Sequence, residues 1–198
     1  MRKLSGLIAI VVLSFGFAGS SAHAQTIAEI VGGSGAVGEF DNNRNDFDVL
    51  NIAVDTAGLG AALSDPNANF TVFAPNDRAF IRLARNLGYD GFDESEAWTF
   101  LVGALTALGE GDPIPVLTNV LLYHVVPDEV TPFDLIINTF TGDSISTLLE
   151  GATIDVFFFM LIDNDPDLRN PLVRTPFNIS ADNGLIHTIS RVLIPVDL

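Results

Sequence analysis

NFTVFAPNDRAF, residues 69–80, holds two elements and the joint between them. Phe70-Thr-Val-Phe73 is a short run of β-forming residues. Pro75-Asn76 stops it, and the Asn76 side chain is suited to cap a helix that begins at Asp77. Phe80, Ile81, Ala84 and Leu87 then recur at helical spacing until Gly88. A strand that feeds directly into an amphipathic helix commits the chain to a layered fold of both element types.

Upstream, NDFDVLNIAVDTAGLGAAL reads as a helix: Asn45 and Asp48 stand at capping-box spacing, and Phe47, Leu50, Ala53, Val54 and Ala57 share a face. Residues 25–42 are Gly-rich and weakly patterned, and are expected to form a flexible leader. Downstream, the acids Asp93, Glu94 and Glu96 precede Trp98, Leu101, Leu105 and Leu108 at helical spacing. Residues 119–130, NVLLYHVVPDEV, are expected to form a strand over Leu122–Val126, with Thr131-Pro132 opening a further helical turn. From Ser144 the pattern is β: STLLEGATIDVFFFMLI as a hairpin turning at Glu150-Gly151, then RTPFNIS and GLIHTISRVLIP joined by Asp182-Asn183-Gly184. Helices come early and strands late, which predicts an α+β fold.

Met1-Arg2-Lys3, the apolar Leu4–Ala18 and Ala22-His23-Ala24 have the three parts of a secretory signal, with cleavage expected after Ala24. The protein is therefore expected to be secreted or periplasmic, with no stable membrane insertion after cleavage. Beyond residue 24 the chain carries seven arginines, no lysine and all 25 acidic residues. Such a surface repels nucleic acid and anionic lipid. A solubility coat explains the acids more simply than diffuse calcium binding does. Without cysteine there is no disulfide framework and no thiol nucleophile, so burial must hold the fold.

Beyond the signal only His124 and His187 remain. On a covered strand each is expected to be neutral, hydrogen-bonded and structural, because a buried imidazole without a partner costs about 1–3 kcal/mol. Their separation fits no zinc motif, and no G-x-S-x-G elbow offers a serine nucleophile. Neither catalysis nor a metal or other cofactor is expected. Asp163–Asn170 alternates acids like half of a calcium loop, but Leu168 and Arg174 occupy the positions that need Gly and Glu, so a solvated turn is expected. Arg78, Arg82 and Arg85 share a helix face; they are expected to be neutralised by Asp90, Asp93, Glu94 and Glu96 just downstream, with an anion or partner patch as the alternative. Phe157, Phe158 and Phe159 cannot all face one core from a strand. Either the helix over Ser95–Leu108 covers them or they line an apolar groove.

FTVFAPNDRAF, LLYHVVP and NGLIHTISRVLIP, in that order, carry a resemblance to the fasciclin (FAS1) domain family over residues 43–195. Asn76 stands where the family's cap is usually Thr, Tyr123-His124 matches its Tyr-His pair, and Asn183–His187 matches its last block. The resemblance implies a wedge-shaped β-sandwich of about seven strands with flanking helices. It implies non-catalytic adhesion, with an extracellular protein or polysaccharide surface as partner. Tyr123, His124, Val125 and Val126 are then the expected contact residues, with Tyr123 reaching outward. Asn76, His124, Gly184 and His187 are the expected structural residues. Some algal relatives bind carotenoids, so an apolar small molecule, a carotenoid or lipid on Phe157–Phe159, is the alternative. The long helical segment 86–119 and the unbroken apolar run Val156–Ile162 depart from the family pattern.

Overall fold

A computed structural model describes residues 25–196. The expected signal segment Met1–Ala24 lies outside the described residues. β1 (Phe70–Pro75) is an inner strand of a four-stranded sheet, ordered β2 (Val125–Val126), β1, β7 (Gly184–Ile189), β6 (Ile179–Ala181). β1 and β7 run parallel, from Phe70 opposite Gly184 to Pro75 opposite Ile189, and the other pairs are antiparallel. A second sheet is formed by β3 (Ile145–Ser146), β4 (Thr153–Phe157) and β5 (Met160–Ile162). The result is α+β, with seven strands in two sheets among the described residues.

Alternation along β1 divides the core in two. Val72 and Ala74 face the helices α1 (Ile27–Gly32), α2 (Asp48–Thr56), α4 (Asp77–Asn86), α5 (Glu94–Leu108) and α6 (Ile114–Tyr123). Phe73 faces the other way, into a cluster with Tyr123, Val126, Leu135, Ile154, Leu161 and Ile189 that joins the two sheets. α3 (Gly60–Leu63) leads into β1, and α7 (Pro132–Thr141) packs on β4. The Asn76 side chain accepts from the Ala79 N–H at 3.1 Å and caps α4.

Four local expectations are corrected. Residues 25–42 are not a loose leader. Thr26 and Glu29 form a capping box on α1, whose Ile27 and Val31 are buried against the helical core. α2 starts at Asp48 and is not capped by Asn45; the Asp77 carboxyl group accepts from the Asp48 and Val49 N–H groups and takes the place of a local cap. Leu121–Tyr123 is the last turn of α6 and not strand; only Val125–Val126 pairs with β1. Finally, Val156–Ile162 is two strands rather than one. The chain reverses at Phe158–Phe159, with Phe158 at φ 54°, and Phe157 pairs with Met160. The run therefore lies beside α7, not beneath α5.

Candidate functional site

The residues expected to contact a partner are all inside. Tyr123, His124, Val125 and Val126 are each buried. Helical phase turns the Tyr123 ring into the inter-sheet core, where its hydroxyl donates to the Thr153 carbonyl at 2.9 Å. Burial pushes that phenol up, well above its ordinary range. Tyr123 thus presents nothing to a partner and instead ties α6 to β4.

The two histidines make matching backbone braces. The Leu193 N–H donates to His124 Nε2 at 2.9 Å, so the proton sits on Nδ1 and is donated to the Val120 carbonyl at 2.7 Å. This links the end of α6 to the segment after β7. Burial lowers the His124 pKa from 6.5 to about 4, so the ring is neutral. His187 accepts from Asn178 N–H at 3.1 Å and donates through Nε2 to the Val130 carbonyl at 2.8 Å. Burial lowers its pKa as well, and its ring stacks on Phe73 at 5.8 Å. Both imidazoles have both nitrogens engaged, which leaves neither free for a ligand or a proton transfer.

Two exposed or open apolar features remain. The first is an aromatic face on α7 and the β4–β5 hairpin. Phe133, Ile137 and Phe140 lie along one side of α7. Phe140 is 74% exposed, Phe133 67%, Phe157 54% and Phe158 44%. Phe158 packs edge-on against both Phe140 (5.9 Å, 86°) and Phe157 (5.1 Å, 81°). Its N–H donates to the Thr139 hydroxyl at 2.6 Å, which fixes the hairpin on α7. Of the expected apolar trio, Phe157 and Phe158 therefore face solvent, while Phe159 packs partly buried on the inter-sheet core and against Phe177. The three do not line a common groove.

The second feature was missed by sequence reasoning. A cavity of about 310 Å³ opens between α4, α5, α6 and the chain after β7. Leu83, Trp98, Leu101, Leu105, Leu117 and Val192 line it, and Asn119 is its polar side chain. Residues from Trp98 to Leu108 of α5, within the segment that departs from the family pattern, form one wall of it. Helical periodicity was visible in the sequence; which faces of α4, α5 and α6 meet around an open space was not.

The remaining charged candidates resolve locally. The expected pairing of the arginine stripe with the downstream acids is corrected: Arg82 donates to the Ser190 carbonyl at 2.8 Å, and Arg85 lies 4.0 Å over the Phe92 ring. In the acidic turn, Asp163 accepts from Ile194 N–H, and Asp165 accepts from the N–H groups of Asp167 and Leu168. Burial pushes the Asp163 carboxyl up to about 6. Asp165 braces its own turn and Asp163 ties that turn to the chain after β7; one further oxygen of each, Asp163 Oδ1 and Asp165 Oδ2, is buried without a hydrogen-bond partner. The acids that converge on one point are others, Asp41, Asp48 and Glu94.

Comparison with known proteins agrees with this architecture. The fasciclin domain pattern matches residues 45–195. A Synechocystis sp. protein named "Uncharacterized protein sll1735" is 34% identical over 148 residues, covering 75% of this chain and 89% of its own length. A second Synechocystis sp. protein, "Protein sll1483", is 28% identical over 172 residues, covering 87% of this chain and 74% of its own. The FAS1 domain pair of the insect cell adhesion molecule fasciclin I superposes with a TM-score of 0.52 at 18% identity. The match covers 73% of this chain and 46% of that one, and is a likeness of fold. From the ordered motifs, the two-sheet core and the match across residues 45–195, this chain belongs to the fasciclin domain family, known for adhesion-related roles.

Proposed function

We infer that this chain is an exported, non-catalytic binding protein that docks on another extracellular protein through the aromatic face of α7 and the β4–β5 hairpin. The observation that carries this reading is Phe158. It stands at φ 54° while 44% exposed. A bulky residue in the left-handed region is disfavoured by roughly 1–2 kcal/mol, and Gly or Asn would relieve it. Folding gains little from an exposed ring held there. A contact surface gains a fixed aromatic knob. The near-perpendicular rings form notches that suit aliphatic and aromatic side chains better than the flat face of a sugar. Asp134 and Asp155, on the same two elements, favour a neutral or basic partner over an anionic polysaccharide.

The test is adhesion of the cleaved protein to the exterior of its own host's cells, with and without protease treatment of those cells. Phe140→Ser combined with Phe158→Ser should lower binding roughly tenfold or more with an unchanged melt. Binding that survives the double substitution sinks the aromatic face. Binding that survives protease but not glycosidase moves the partner to polysaccharide. Export is tested by the N-terminus: cleavage after Ala24 leaves Gln25, whose carbonyl accepts from Asp182 N–H, so α1 stays in place.

The cavity supports a second reading, a carrier of an apolar small molecule. Its volume lies at the low end of the range of roughly 300–1,000 Å³ for small-molecule sites. That suits an acyl chain rather than an enclosed carotenoid. Trp98, the chain's single tryptophan, reports on it. Palmitate should quench Trp98 fluorescence saturably, and Leu105→Phe should block the effect. An unchanged spectrum removes the carrier.

A further inference from the structure

Five carboxylates crowd the junction of α2, α4 and α5. One oxygen each from Asp41, Asp48 and Glu94 lie within 4.8 Å of one another, and so do oxygens of Asp46, Asp48 and Asp77. Asp48 opens α2, Asp77 opens α4 and Glu94 opens α5, which explains why acids stand at these three positions. Helix starts do not require acids to be buried or left without partners. Yet Asp48 is 3% exposed and Glu94 is fully buried. Each has one oxygen satisfied: Glu94 Oε2 by Asn42 N–H at 2.9 Å, and Asp48 Oδ2 by Asp41 N–H at 3.3 Å. Their other oxygens, Glu94 Oε1 and Asp48 Oδ1, are buried with no hydrogen-bond partner, and so is Asp46 Oδ1.

The neighbouring hydroxyl and carboxylate are already engaged elsewhere. The Ser34 hydroxyl beside Asp48 donates to the Val31 carbonyl at 2.8 Å. Both oxygens of Asp77 serve the N-terminus of α2. Burial first, then the neighbouring carboxylates, push the carboxyls of Asp48 and Glu94 upward. Buried carboxylate oxygens without partners are expensive, and like charges in contact add to that. A single cation at their centre removes both penalties.

We propose that Asp41, Asp48 and Glu94, with Asp46 beside them, form a calcium site that pins the segment 41–48 to the starts of α2 and α5. The donors are all oxygen and mostly anionic, which selects a hard divalent ion over zinc or copper. Ca²⁺ accepts six to eight oxygens in flexible arrangements, whereas Mg²⁺ demands octahedral geometry and keeps its waters. Asp41 is exposed, and it leaves the ion a route from solvent. Extracellular calcium modules bind at roughly 10⁻⁴–10⁻³ M, which suits a structural ion in an exported protein.

The test uses the cleaved protein stripped with EDTA. Added Ca²⁺ should raise the melting temperature saturably, by roughly 5 °C, and calorimetry should give one site. Mg²⁺ at equal concentration should do much less. Tb³⁺ in place of Ca²⁺ should show emission sensitised by Trp98, one helical turn from Glu94, and Ca²⁺ should displace it. Glu94→Gln should weaken Ca²⁺ binding roughly tenfold or more and abolish the thermal shift. If that variant does not fold, Asp41→Asn, at the exposed ligand, should produce the same loss. Asp165→Asn, in the acidic turn, should leave binding intact. Absence of a saturable shift overturns the site. So does a shift that persists in both ligand variants, since it then arises from the acidic surface at large.

Discussion

Phe70-Thr-Val-Phe73 and Val156-Phe-Phe-Phe159 are both short, Phe-containing runs of β-forming residues, with opposite fates. The first is β1, paired on both sides, with Phe73 fully buried against His187 and the inter-sheet core. The second breaks at a reversal, and two of its three rings face solvent. The neighbours decide. β1 receives a partner on each edge and a layer on each face. The β4–β5 hairpin has α7 on one side and nothing described over Phe157 and Phe158. Aromatic density alone therefore does not mark a core. The backbone sharpens the contrast: Gly184 stands where only glycine fits, while Phe158 stands where glycine or asparagine would be easier.

The largest effect should come from the support of the first run. Gly184 has φ 142°, and a Cβ there would lie 1.8 Å from the Phe70 carbonyl oxygen. Gly184→Ala must push β7 away from β1 at the first rung of the parallel pair. The expected outcome is loss of the cooperative thermal transition, or a drop of more than about 4 kcal/mol by chemical denaturation. A mild effect would mean that the pairing yields easily and that the two runs differ less in their support than in their burial. Next, Phe73→Ala should lose about 3–5 kcal/mol, whereas Phe157→Ala, the matching change in the second run, should stay within about 0.5 kcal/mol. Equal losses at the two positions would break the comparison.

Much of the first run's surroundings was legible because its signals are local. The Asn76 cap, the face of α4 and the Asn183-Gly184 turn each depend on a few adjacent residues. The end of α6 was misread because Leu121–Val126 is apolar on both faces of a strand and equally apolar along a helix, so periodicity could not decide. α1 was missed although Thr26 and Glu29 stand at capping-box spacing, because the glycines after it dominated the reading. The reversal at Phe158 carries no Gly, Pro or Asn, so the sequence holds no turn signal there. The acid cluster draws on residues 41, 46, 48, 77 and 94, and the cavity on helices separated in sequence. Such sites exist only after packing.

The histidine behind β1 gives a pH-dependent measure of the same core. Its folded pKa, about 4, lies below the ordinary 6.5. Above 6.5 neither state holds the proton, so the neutral brace is fully effective. As the pH falls from 6.5 toward 4 the unfolded chain takes a proton that the folded chain refuses, and stability is lost. The shift corresponds to a loss on the order of 3 kcal/mol across that window. Asp163, raised to about 6, and Asp77, raised by burial, act with the opposite sign, since they favour the folded state as the pH falls. The difference between wild type and His124→Gln isolates the imidazole. Wild type should lose more stability than the variant between about pH 7 and about pH 4.5 in urea titrations. Parallel profiles would mean that His124 is not held neutral.

The smallest effect is the most diagnostic for the second run. Phe158→Asn removes an exposed ring and supplies a side chain that tolerates the left-handed region. Each lost edge contact, with Phe140 and with Phe157, is worth at most about 0.5–1.5 kcal/mol, and much less where solvent already reaches the rings. The relieved backbone returns about 1 kcal/mol. The two nearly cancel, so the variant should melt at or slightly above the wild-type temperature. Its N–H still reaches the Thr139 hydroxyl, so the hairpin stays docked. A clear loss of stability would make Phe158 a packing residue, and the aromatic face would then be the rim of the core. An unchanged melt with weakened adhesion would separate the two runs by purpose as well as by burial: one set of rings holds the sheets together, and the other is held out at a backbone angle that folding alone gives no reason to keep.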